Sequence, residues 1–316
     1  MAKQSGLGDN FYVGGFDLSG DVASVDKLAG PLATIEATGI KQFAENRIPG
    51  LRDGAMQFTT LFNNTGSTAT PGFPTSTTPV TNANAWPVFV TIAGGTLTSV
   101  KINGTQVGTT AGTYVLPAGS NISVTYTVAP TWNWVGVLAE HNALSTLPTA
   151  DTIGTYFRGT TLGNPVACCN AKQVNYDGTR DNTGALTFQS TLQADQFGLE
   201  WGIMLTPGLR ADTAATVGAA YTDVAASNFG AQAYVQLVAL VGTNVDISIT
   251  HCATVGGTYT SLFDFGSMTT PNQSKRLAVS NTTTVNQFFK VVTTGTFTYA
   301  QFAVALMRNP IAGVVF

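Results

Sequence analysis

Short runs in which every second residue is apolar recur along this chain, and stretches with the three-to-four-residue spacing of a helix are scarce. Ala55, Gln57 and Thr59 alternate with Met56, Phe58 and Thr60; Val88, Val90 and Ile92 alternate with Phe89 and Thr91. Ile122, Val124, Tyr126 and Val128 share one face against Ser123, Thr125 and Thr127. Each is the pattern of a strand with one buried face. Further strands are predicted at 152–157, 199–205 and 259–265, and at 234–241 and 245–249 with Gly242-Thr243-Asn244 as a turn between them. Segments 287–293 and 296–307 are expected to pair across Thr294-Gly295. One helix is predicted over 21–31, where Val22, Val25, Leu28 and Ala29 have helical spacing and Gly30-Pro31 ends it. The fold class is all-β.

The chain is organised around Lys172 to Phe188, where Asp181-Asn182-Thr183-Gly184 makes a tight connection because Asn and Gly tolerate positive φ and Asp bonds its own backbone two residues on. Its flanks pair as a hairpin. Tyr176 and Trp201 are amphipathic aromatics of the kind enriched at interfaces, and Arg is the preferred partner of a carboxylate across one. The hairpin and the Gly198-Leu199-Glu200-Trp201-Gly202 segment are therefore read as a contact surface, with Asp177 and Arg180 beside Tyr176.

Either side of this surface the composition shifts. Residues up to about Gly20 read as a polar, Gly-rich arm, 47–54 as turn chemistry, and 210–226 as a long surface loop or arm. Residues 63–81 have linker composition. From Trp86 to Trp134 several short strands follow with turn signals between them, Asn103-Gly104 being the strongest, as a type I′ turn needs two residues at positive φ. This stretch reads as an inserted small immunoglobulin-like β-sandwich. The division is a core in two parts, 1–64 and 139–316, around an inserted module with its linker, 65–138.

Charge changes the picture from a generic β protein to an assembling one. Charged residues make up 10% of 316 residues while hydrophobic ones reach 44%; ordinary soluble domains carry roughly 25% charge. No window approaches the ~18 uninterrupted apolar residues of a spanning helix, so the chain is read as no membrane protein. A monomer so poor in charge precipitates easily, and burial of its surface against other copies is the remaining explanation. The net charge of −3 and the lack of a Lys/Arg run disfavour a nucleic-acid binder, though they suit a conduit that DNA slides through. The amino terminus has no apolar secretion signal, which places synthesis in a cytoplasm, and Cys168, Cys169 and Cys252 read as reduced core thiols.

Signatures of catalysis are missing. No phosphate-binding loop, Gly-x-Ser-x-Gly or His-Glu-x-x-His occurs. His141 and His251 are the only histidines, too few for a zinc site without distant partners. Glu140 and Glu200 could form a glycosidase pair only if the fold brought them together. Sequons such as Asn103-Gly104-Thr105 follow from composition. The expectation is no enzyme, no cofactor and no metal.

The stretch Lys172-Gln173-Val174-Asn175-Tyr176-Asp177-Gly178-Thr179-Arg180, with Gly198 to Gly202, 144–148 and 47–62, resembles the major tail (tail-tube) proteins of long-tailed phages infecting actinobacteria. The resemblance covers most of the chain outside the insertion, which departs from the plainest tube pattern. It implies a β-sandwich or barrel whose sheets join around a ring of six subunits, rings stacked by loops and arms, other phage tail proteins as partners, and DNA passing through without specific binding. The location implied is the virion tail. On this reading the amino arm and 210–226 make contacts between rings, the insertion projects outward, and Asp177, Arg180 and Arg210 fix ring register by paired charge. Two other classes stay open: a capsid decoration or fibre protein displaying the module, and a glycan-active or glycan-binding protein.

Overall fold

The computed structural model describes residues 8–38, 47–63, 69–84, 87–117, 119–136 and 140–311. The two expected boundaries, 64/65 and 138/139, Trp86 and the first seven residues of the amino arm lie outside the described residues. The fold is all-β, with Glu140–Leu144 the one helix among the described residues.

At its centre lies a ribbon of two long antiparallel strands, Ala231–Cys252 and Phe288–Arg308, in register from Ala231 opposite Arg308 to Cys252 opposite Phe288. The two turns expected at Gly242-Thr243-Asn244 and Thr294-Gly295 are not turns. They face each other across one ladder, Gly242 opposite Phe297 and Val245 opposite Gly295, and the register shifts there instead of reversing. Gly242 (φ 148°) and Gly295 (φ 111°) make the kink feasible; a Cβ on Gly242 would lie 2.4 Å from the Phe297 Cα.

Above the kink the ribbon is buried on both faces, which is why 231–240 reads as a near-continuous apolar run. Ala233, Val235 and Leu237 pack with Phe263, Phe265, Phe302 and Val304. Tyr234 and Val238 point the other way, into Tyr12, Ile153, Phe157 and Val166 from a second layer. That layer runs Asn10–Val13, Thr152–Phe157, Pro165–Arg180. Residues from Asn10 on are thus core strand and not a free arm: Phe11, Tyr12 and Val13 are buried.

Beyond it, Leu186–Ala194, Ala55–Leu61 and Val22–Ala29 pair in succession and enclose Met56, Phe58 and Leu192 with Leu144 of the helix. The helix expected over 21–31 is therefore a strand. Bulges between Val22 and Ser24 and between Val25 and Lys27 insert an extra residue each, so Val22, Val25 and Leu28 all reach the core. Two bulges turn a period of two into a spacing of three. Two further expectations are corrected in the same way. Arg47–Arg52 is a strand paired with Leu32–Glu36, not turn chemistry. Within 210–226, Arg210–Asp212, Thr216–Val217 and Tyr221–Thr222 pair in turn along Phe288–Arg308, so this is no free loop.

The inserted stretch forms two sheets of its own. One joins Thr105–Gly108, Thr96–Ile102, Asn121–Val128 and Val80–Thr81; the other joins Gly112–Leu116, Val88–Ala93 and Thr131–Gly136. They close on Val88, Val90, Ile92, Val100, Ile122, Val124, Trp132 and Trp134. Asn103 (φ 49°) and Gly104 (φ 82°) supply the tight turn. The described part of the expected linker, 69–81, belongs to this sandwich: Phe73 packs edge-on to Trp132 at 4.7 Å, and the Trp132 Nε1 donates to the Pro71 carbonyl.

Candidate assembly surface

The hairpin of Pro165–Arg180 and Leu186–Ala194 runs out past its neighbours, and from Asp177 to Ala185 every residue is exposed. Asp181 holds its turn: Oδ1 accepts from the Thr183 amide and hydroxyl and from the Ala185 amide, at 2.9, 2.7 and 2.9 Å. These donors, the Thr183 hydroxyl foremost, hold the carboxyl below its usual range. On the face that continues from Phe58 and Thr60, Tyr176 stacks on Phe188 at 4.2 Å, and Phe62 and His141 complete an aromatic cluster. Leu61 and Phe62 leave 50% and 38% of their surface in solvent.

Beneath this cluster sits the root of the insertion. Glu140, fully buried, accepts from the Thr60 hydroxyl at 2.8 Å and the Asn63 amide at 3.3 Å. Asp21 accepts from the Asn63 side chain at 2.7 Å and the Glu140 amide at 3.2 Å. The His141 amide donates to the Asn63 carbonyl at 3.1 Å, so the chain leaves for the module and returns from it within one hydrogen bond. Burial, then Glu140, push the Tyr176 phenol well above its ordinary value, and burial pushes the Asp21 carboxyl up.

The opposite end of the same ladder carries a second projection. Leu61 pairs with Thr187 near the Asp181 turn, whereas Ala55 pairs with Gln193 and Ala29 at the far end, just before Leu32–Glu36 and Arg47–Arg52 form a sheet of their own. There Leu32 is 48% and Leu51 86% exposed. A two-stranded sheet alone in water is marginally stable at best.

Of the residues singled out in the sequence, Tyr176, Asp177 and Arg180 share the projecting hairpin. Trp201, 53% exposed, pairs with Ala167, nine residues or about 30 Å from Tyr176 along the same strand. Arg210 is occupied within the chain: it grips Asp212 at 2.7 and 2.8 Å, donates to the Val291 carbonyl and lies over the Phe302 ring.

Sequence reading missed a buried ion pair. Arg276 meets Glu200 at 2.8 and 3.1 Å, lies 3.6 Å over the Phe197 ring and donates to the Tyr234 hydroxyl, which in turn donates to Glu200. The signal available was a Glu at an inward strand position beside an outward Trp. Glu140 and Glu200 thus sit in separate hydrogen-bonded networks. Above Arg276 opens a polar cleft of about 340 Å³ lined by Asp151, Asn170, Phe197 and Lys275. Among the described residues no three His, Cys, Asp or Glu gather to hold a metal, and no helix is long and apolar enough to cross a membrane.

No family model matches the chain, and no curated protein matches it. Among solved structures it is similar to the Dit protein of phage SPP1, described as a paradigm of the hub adsorption apparatus in phages infecting Gram-positive bacteria. Identity is 8%, coverage is 95% of this chain and 99% of that one, and the TM-score is 0.29. A likeness of that degree carries no argument about function.

Proposed function

We propose that this chain is a structural subunit of a phage virion, and specifically a major tail-tube subunit whose rings stack into the conduit for DNA. The observation that carries the reading is the pair of projections at opposite ends of one ladder, the Asp181 hairpin and the Leu32–Glu36 and Arg47–Arg52 hairpin with its exposed Leu51. Exposed hairpins at opposite ends of one ladder suit head-to-tail contacts, which generate stacks and filaments when they do not close. A chain with 10% charged residues gains solubility from such burial. On this reading residues 1–64 and 139–316 form the tube core and 65–138 an inserted module. The other partners are further tail proteins, the chain is not an enzyme, and it needs no cofactor.

The competing reading, a decoration or fibre protein, is favoured by the module's possession of its own two sheets and core. Electron microscopy and sedimentation of the purified full chain separate the two. Hollow stacked tubes support the tube subunit, and Leu51→Asp should abolish them while leaving the far-ultraviolet circular dichroism unchanged. Discrete trimers or monomers at every concentration overturn it.

A further inference from the structure

The inserted module does not simply hang from its root. In Gly112–Leu116, Tyr114 and Leu116 face the module's own core, so by alternation Val115 faces away from it, yet Val115 is 1% exposed. Its cross-strand neighbour Phe89 is half-buried, and Val135, next in the same row, is 49% exposed. Burial therefore fades along the row from the Gly112–Leu116 edge outward. What covers that edge is the ribbon: Val115 and Phe89 pack with Ala239, Val241 and Tyr299.

The location is the kink. The ladder shifts register between Leu237 and Ala239, and again between Val241 and Asn244. The first shift reverses the alternation, so Leu240 joins the core on one face and Ala239 and Val241 turn to the other, with Tyr299 opposite Val241. Just past the kink, Asp246, Ser248 and Thr250 alternate with buried Val245, Ile247 and Ile249, the pattern of a half covered on one face. Ala239, Val241 and Tyr299 thus stand where cover by the second layer ends. A bulged ladder lacks the regular hydrogen bonds that hold a strand pair, and its apolar residues need cover to stay ordered.

We propose that the module is a brace: by seating Val115 and Phe89 on Ala239, Val241 and Tyr299 it holds the kinked middle of the central ribbon in one conformation. The inference does not depend on the tube reading, since it concerns how one subunit keeps its shape. Tyr299 supplies a built-in reporter, because burial alone pushes its phenol up to about 12.

The test is Val115→Asp with Phe89→Asp in the full chain; both side chains point away from the module's own core. Hydrogen exchange of peptides covering 238–244 and 295–300 should quicken at least tenfold, with 231–236 unchanged. The Tyr299 ionisation, obtained as the difference between spectra with and without Tyr299→Phe, should fall toward its ordinary value. Val135→Asp, in the same row but exposed, should do neither. If the double variant does not fold, Phe89→Ser alone serves with the same two measurements. Unchanged exchange and ionisation in a folded variant, or equal changes in Val135→Asp, would overturn the brace.

Discussion

The core and the inserted module are both made of antiparallel sheets, yet they are held by different chemistry. Of the chain's 14 basic and 17 acidic residues, one, Lys101, falls between residues 65 and 138. The module relies on neutral groups: Trp132 and Trp134 edge-on at 5.3 Å, Asn82 donating to the Leu116 and Pro117 carbonyls, and Asn103 accepting from the Asn121 amide. The core, by contrast, ties distant segments with charges drawn inward: Arg276 with Glu200, Arg308 with Asp223 at 2.5 Å, and Arg210, held by its neighbour Asp212, with the Val291 carbonyl. The difference follows from what each must fix. The module's strands follow one another closely in sequence, so tight turns set much of its register. The core's layers join segments far apart in the chain, and a buried charge left without its opposite charge is costly, which favours one register.

The sharpest way to break this comparison is to remove a core charge. Arg276→Met leaves Glu200, 3% exposed, without its cation, and a carboxylate stranded in that way costs about 3–5 kcal/mol. Denaturant unfolding should show that loss in the core, and adding Glu200→Gln should restore most of it. Recovery matters more than loss, since it distinguishes a stranded charge from damaged packing. A loss that the second substitution does not mend would mean that the guanidinium acts chiefly through its contact with Phe197. In the module the comparable change is apolar. Ile122→Ala opens a hole among Val100, Val124 and Trp134 and should cost about 3 kcal/mol. Calorimetry should find the larger change in the transition that reports the module's tryptophans.

The same contrast explains what could be read in the sequence. Where strands keep a strict period, as at Ala55–Leu61 and Val88–Ala93, the inward residues are visible in the chain. Where a bulge intervenes, they are not: the two bulges in Val22–Ala29 give Val22, Val25 and Leu28 a helix-like spacing. The kink at Gly242 and Gly295 looks like a pair of turns because each glycine's partner is about fifty residues away. At the candidate surface, the Asp181 turn and Tyr176 were legible because local chemistry determines them. The bond between Arg276 and Glu200, 76 residues apart, and the clamp of Asp21 on Asn63 and Glu140 depend on register, which no local window holds.

A smaller effect probes how far turns alone hold the module. Gly104 sits at φ 82° with nothing within 4 Å of where a Cβ would lie, so Gly104→Ala adds backbone strain and no clash. The cost should be about 1 kcal/mol, read as a shift of the module's transition alone. A neutral result would mean that the turn is not what fixes the register of Thr96–Ile102 and Thr105–Gly108.

The smallest effect separates the two regions most cleanly, because it needs no substitution. Residues 65–138 contain no Asp, Glu, His or Cys, the residue types whose charge could change near or within about pH 5 to 8. Linkage then requires a module transition that is flat across that range. The core holds His251, whose Nδ1 accepts from the Asn286 amide at 3.1 Å. Burial first, then the Arg308 guanidinium, itself paired with Asp223, lower its proton affinity. In the unfolded chain that imidazole takes up a proton near its ordinary 6.5, while in the fold it stays neutral to lower pH. Between those two points the unfolded state binds more protons, so core stability should fall as pH drops below about 6.5. Half-buried Asp17, whose carboxyl is raised by desolvation, works in the opposite sense and strengthens the fold as pH falls through its raised folded value toward its ordinary one. The two can be told apart by His251→Gln, which should remove the loss near pH 6 and leave the Asp17 contribution intact. A module transition that moves with pH while the core stays flat would invert the assignment of charge-based and neutral architectures to the two regions.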